Sequence, residues 1–114
     1  MIDTSQLRLL AAQLQGISVP AGIMATTVVR STGEMTIQFA EELVPVLTGA
    51  LKSSLTMDID YDGLGFYAYA TMDYAGYVEY GTSRMAPQPY LNPAFDRAVA
   101  VGERALQSLL ARYL

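Results

Sequence analysis

The fold turns on residues 55–72, LTMDIDYDGLGFYAYATM, where the apolar spacing changes from the three-and-four of a helix to a period of two. Leu55, Met57, Ile59 and Tyr61 alternate with Thr56, Asp58, Asp60 and Asp62, as a half-buried strand requires, with the apolar set facing inward. Asp62-Gly63 and Gly65 supply a turn, and residues 66–72 return as a second strand. Phe66, Ala68, Ala70 and Met72 share one face of it, Tyr67, Tyr69 and Thr71 the other. An isolated hairpin is marginal in water. It must pack on a helix, add strands, or pair with a neighbouring subunit.

On either side the period is helical. Asp3 or Thr4 stands where a helix cap belongs, and Leu7, Leu10, Ala11 and Leu14 share a face that ends at Gly16. Ser18 before Pro20 has the order of cap and first turn. A long helix over about 20–44 follows, with Met24, Val28, Met35, Phe39 and Leu43 as its apolar stripe and Gly33 weakening its middle by about 1 kcal/mol relative to Ala. Pro45 closes it, because the residue before a proline is pushed out of the helical region. Thr48 is placed to cap a brief turn. From Asn92 or Pro93 the helical period resumes, with Phe95, Val99, Leu106, Leu109, Leu110 and Tyr113 on one side and Arg97, Glu103, Arg104 and Arg112 mostly on the other.

Between hairpin and last helix lies YAGYVEYGTSRMAPQPYLNPAF, residues 74–95. Tyr74, Tyr77 and Tyr80 recur every three residues, one side of a single helical turn, and Gly81 stops that turn. Pro87, Pro89 and Pro93 fix φ and remove backbone donors, so residues 83–92 run extended, over the surface or along another chain. The predicted class is therefore α+β: two N-terminal helices, an antiparallel hairpin or small sheet, a short helical turn with a proline-rich loop, and a C-terminal helix. Residues 1–114 make one domain, with 1–18 a short N-terminal helix and 19–114 its core.

Composition narrows the function. The net charge is −4, which leaves no basic patch for phosphate neutralisation and argues against sequence-specific nucleic-acid binding. Only 16% of residues are charged, against about 25% in ordinary soluble domains, a sign that partner subunits cover apolar surface. Without cysteine or histidine there is no disulfide, no thiolate or imidazole metal site and no imidazole base. No signal peptide and no membrane span is expected.

Few residues suggest chemistry. Asp58, Asp60, Asp62 and Gly63 reproduce the opening of an EF-hand calcium loop, but Tyr69 stands where the bidentate Glu belongs and the flanks alternate as strands. Solvated aspartates on a strand and its turn are the plainer reading, and a small cation-binding or protein-interaction module the alternative. Glu41 and Glu42 point about 100° apart and form no acid–base pair. Lys52, Ser53 and Ser54 lack a nucleophile elbow. Glu79 among tyrosines is best read as paired with an arginine such as Arg84. No enzyme and no cofactor is expected.

Two blocks carry a family resemblance. The first is Pro45 through Leu55, with Thr48, Gly49, Leu51, Lys52 and Ser54; the second is Tyr74, Ala75, Tyr77, Val78, Glu79, Tyr80, Gly81 and Thr82, followed by Pro87, Pro89, Tyr90, Leu91, Pro93 and Ala94. Together they resemble the head–tail joining or tail-completion (neck) proteins of long-tailed bacteriophages, often described as minor tail components. The resemblance covers roughly residues 36–110; Leu47 stands where that family usually has aspartate. It implies a non-enzymatic virion subunit, made in the bacterial cytoplasm, that forms a homo-oligomeric ring at the head–tail junction between portal or adaptor and tail proteins, with DNA passing through. The interface residues it implies are Thr48, Gly49, Leu51, Tyr74, Tyr77, Glu79, Tyr80, Gly81, Thr82, Arg84, Pro89, Tyr90 and Pro93. The net negative charge suits a channel through which DNA slides without sticking.

Overall fold

The computed structural model describes residues 4–45 and 49–113. Within them the order is α1 (Ser5–Gln15), α2 (Val19–Leu43), α3 (Gly49–Ser53), β1 (Leu55–Ile59), β2 (Phe66–Ala70), α4 (Ala75–Tyr80) and α5 (Leu91–Arg112). The class is α+β, as the periodicities require. α2 and α5 lie side by side along a body of 53 × 19 × 18 Å, with α1 and the hairpin laid against them.

Local rules explain the helix ends. Ser18 Oγ accepts the Ala21 N–H at 3.2 Å and Pro20 sits in the first turn of α2. Val44 is already extended ahead of Pro45. Thr4 precedes α1 without a side-chain capping bond, and Asp3 and Thr48 lie outside the described residues. α5 starts at Leu91, slightly earlier than the prolines suggest, with Pro93 accommodated in its first turn where its missing N–H has no helical partner to lose.

The inward face of α2 departs from expectation. Ala21, Gly22, Ala25, Val29, Thr32, Gly33, Thr36 and Ala40 are buried, whereas Met24 and Leu43 are exposed and Val28, Met35 and Phe39 only half-buried. Side chains of the facing elements seated directly on glycine backbone are the reason. A Cβ on Gly33 would stand 3.1 Å from the Met57 thioether and 3.3 Å from the Phe66 ring, so the hairpin rests on the helix there. A Cβ on Gly102 would stand 2.3 Å from Thr32 Oγ1, so α5 meets α2 at that point with the Thr32 side chain seated against the Gly102 backbone. Thr32 and Thr36 meet this dry surface because their hydroxyls donate back to the carbonyls of Val28 (2.8 Å) and Thr32 (2.9 Å).

β1 and β2 pair antiparallel, Leu55 opposite Ala70, Met57 opposite Ala68 and Ile59 opposite Phe66. That face packs on α2; Tyr61, expected inward with it, is fully exposed in the turn, where Gly63 takes φ 73°. Apolar side chains gather in two clusters. One unites Leu7, Leu10, Leu14, Val29, Phe66, Val99 and Leu106; the other unites Ala40, Val44, Leu51, Val78, Tyr90 and Ala94. The second cluster anchors the candidate site.

Candidate partner-binding surface

α4 is a turn and a half of helix whose inner side is Val78 and Glu79. Tyr77 and Tyr80 point the other way, 61% and 68% exposed, while Tyr74 is half-buried against the second apolar cluster. Gly81 ends the helix at φ 76°, a conformation that favours glycine, and a Cβ there would meet Met85 O and Pro87 N at 2.8 Å. The chain then folds back on itself. Thr82 N–H donates to Met85 O at 2.9 Å, Arg84 N–H to Thr82 Oγ1 at 3.1 Å, and Gln88 N–H to Val78 O at 2.8 Å. Residues 82–89 are all exposed, and Tyr90 returns to the interior.

Glu79 secures this return. Its Oε1 accepts the N–H of Tyr90 at 3.2 Å and of Leu91 at 2.8 Å, and its Oε2 that of Asn92 at 3.2 Å. A buried carboxylate thus satisfies donors that the first turn of α5 leaves without partners, and its charge lies at the positive end of the helix dipole. The expected pairing with Arg84 is not made: among the described residues the side-chain ion pairs are those of Arg8, and Arg84 is exposed. Backbone amides outcompete a flexible arginine because they are already fixed in position. Tyr90 donates its hydroxyl to Ala75 O at 3.3 Å, and burial, with the Glu79 charge second, raises its pKa above the ordinary tyrosine value. Asn92 Nδ2 donates to Tyr80 Oη at 3.2 Å. Around Tyr69, Gly76, Glu79 and Tyr90 lies a shallow cleft of about 150 Å³.

The residues implied by the family resemblance therefore divide. Tyr77, Tyr80, Thr82, Arg84, Pro89 and Pro93 are exposed on one end of the molecule, with Gly49 exposed at the start of α3. Leu51 and Tyr90 are core, and Glu79 is the internal cap that holds the loop in place. Gly81 shapes the turn.

No family model, curated protein or solved structure matches this chain.

The aspartates of the hairpin have partners of their own. Arg8 Nη1 donates to Asp62 Oδ2 at 2.6 Å and Nη2 to Asp60, tying α1 to the hairpin tip. Asp62 also accepts the Leu64 N–H at 3.0 Å; that bond first, and Arg8 second, hold its carboxyl below the usual carboxylate value. The same pairing, above all with Asp62, raises the Arg8 pKa. Asp58 instead accepts the Tyr69 hydroxyl at 2.9 Å, which raises the Tyr69 pKa. The three carboxylates do not converge, and among the described residues no cluster of three or more metal-ligating side chains exists. Arg8 escaped the sequence reading because its partners lie more than fifty positions away, separations of 52 and 54 residues that no local pattern signals.

Proposed function

We propose that this chain is a non-enzymatic structural subunit of a phage or prophage virion, assembling as a ring at the head–tail junction as a neck or tail-completion protein. In this reading it is made in the host cytoplasm and ends in the virion, contacting portal or adaptor and tail proteins while DNA passes through. The reading takes its identity from the resemblance of residues 45–55 and 74–94, and the observation that favours a docking role for them is the use made of Glu79. The acid of the tyrosine-rich motif is consumed in capping α5, so what the motif offers outward is Tyr77 and Tyr80 on α4 and Thr82, Arg84 and Pro89 on the tethered loop after it. Tyrosine and arginine on a fixed scaffold are the residues that dominate protein–protein contacts, and the arrangement suits docking better than turnover.

The test is head–tail joining with Tyr77→Ala combined with Tyr80→Ala. Both side chains are exposed, so the variant should fold with an unchanged circular dichroism spectrum while the yield of joined particles falls about tenfold or more, the loss expected of an anchoring pair. Gly81→Val should also impair assembly, by forbidding the turn that presents them. Normal joining by both proteins would overturn the assignment.

A further inference from the structure

We infer that the arginine-bearing edge of α5 docks on the glutamate-bearing edge of α2 in a second copy of this chain, a side-by-side contact that uses two different surfaces of each subunit. The inference deepens the ring reading and rests on it for the identity of the neighbour. Its basis is a complementarity of charge and spacing between two helices whose charged groups form no ion pairs with each other among the described residues.

On α5, Arg97 and Arg104 are seven residues apart and so lie on one line about 10.5 Å apart. That line is located by contact: the Arg97 guanidinium sits 3.9 Å over the Phe39 ring, on the side where α2 and α5 meet. Ser108 and Arg112 continue it by fours and line an apolar groove of about 470 Å³ with Ile23, Met24, Val28 and Leu109. The acids of α5, Asp96 and Glu103, each precede an arginine by one residue and fall about 100° further round. A basic edge thus runs along an otherwise acidic chain.

On α2, Glu34 and Glu41 are also seven residues apart, with the same rise of about 10.5 Å, on the side turned away from the buried Ala25, Val29, Thr32 and Thr36. Among the described residues the ion pairs are those of Arg8, so Glu34, Glu41, Arg104 and Arg112 form none within the chain. Their heights agree as well. Thr32 is level with Gly102, Phe39 with Arg97, and Met24 with Tyr113 whose hydroxyl lies 3.8 Å from its sulfur. Glu34 therefore stands about three residues from the level of Arg104 and Glu41 about two from that of Arg97, offsets of roughly 3–5 Å that arginine side chains span. Parallel copies set side by side with a stagger below one turn bring Glu34 to Arg104 and Glu41 to Arg97 together, and carry Arg30 toward Ser108. Because the two edges differ, each copy keeps one free edge for the next, the heterologous arrangement that closes rings.

The test uses the absence of cysteine from the full chain. Gln38→Cys and Ala100→Cys proteins, each with one exposed thiol between the charged positions, are mixed and oxidised at low salt. We expect the mixed disulfide dimer to exceed the dimer formed by either variant alone severalfold, and high salt to suppress it. Adding Arg104→Glu to the Ala100→Cys protein, or Glu34→Arg to the Gln38→Cys protein, should each reduce it severalfold, and combining the two reversals in one mixture should restore it. No enrichment of the mixed dimer at any protein concentration, or no restoration by the paired reversal, overturns the interface. Head–tail joining separates the two levels: full joining by a chain carrying Arg104→Glu alone discards this contact and leaves the ring reading standing, whereas joining that proceeds without the chain discards both.

Discussion

The two ends of the molecule are held by different means. At one, Leu7, Leu10, Leu14, Val29, Val99 and Leu106 fill the space between α1, α2 and α5, and the Phe66 and Phe95 rings lie 5.5 Å apart. At the other, the apolar cluster is built from smaller parts, Ala40, Val44, Val78 and Ala94 around Leu51 and Tyr90, and a buried carboxylate completes it. Aliphatic burial is undirected and tolerant of small shifts, while three amide bonds to one carboxylate fix position to a fraction of an ångström. The first end supplies stability, and the second end supplies shape.

Four experiments would break or sharpen that contrast, beginning with the point common to both ends. Gly102→Leu places side-chain atoms where Thr32 already stands, so α5 must move off α2 along its whole length; a loss of about 3 kcal/mol or more, with Tm falling by ~10 °C or more, should appear in thermal unfolding. Leu14→Ala removes a fully buried side chain from the larger cluster and should cost about 3 kcal/mol, with amide exchange quickening in α1 and not in α4. Glu79→Gln keeps the shape but loses the charge and one acceptor; about 2 kcal/mol is expected, with exchange rising at the amides of Tyr90, Leu91 and Asn92 while α1 is unaffected. Equal changes at both ends in these last two variants would refute the division of labour.

The smallest effect is acid sensitivity at the hairpin tip. Asp62 has a folded pKa below its unfolded value, so its contribution is present above about pH 4 and fades as the pH falls through the lower folded value. Nuclear magnetic resonance shifts of α1 and the tip should follow that titration, and Asp62→Asn should abolish its part in it. The group is exposed, and global stability should hardly register the change.

Much of this architecture was readable from residue spacing. The two-residue period of 55–72, the leucines of α1, the glycine and prolines that bound α4 and α5, and the stop at Pro45 are local rules acting locally. The inward face of α2 was not, because a hydrophobic stripe is a poor guide where helices touch through glycine, alanine and threonine; Gly33 looked like a weakness and is a contact. The partners of Glu79 are hidden from the sequence for a related reason. They are main-chain groups eleven to thirteen residues on, and backbone donors leave no mark in the identities of the residues that carry them. Leu51 and Tyr90 stand beside exposed neighbours in their motifs, and burial alone separates them.

The Gln88–Val78 hydrogen bond, together with the turn at Gly81 and the rings of Pro87 and Pro89, has a kinetic consequence. A loop that had to search for its bound form would make capture of a partner wait on conformational change and surrender rotamer and backbone freedom at the moment of contact. Here that freedom has already been given up when the chain folds. Under the proposed docking role, encounter would then proceed at the pace of rigid-body diffusion, and selectivity would come from how long a partner stays.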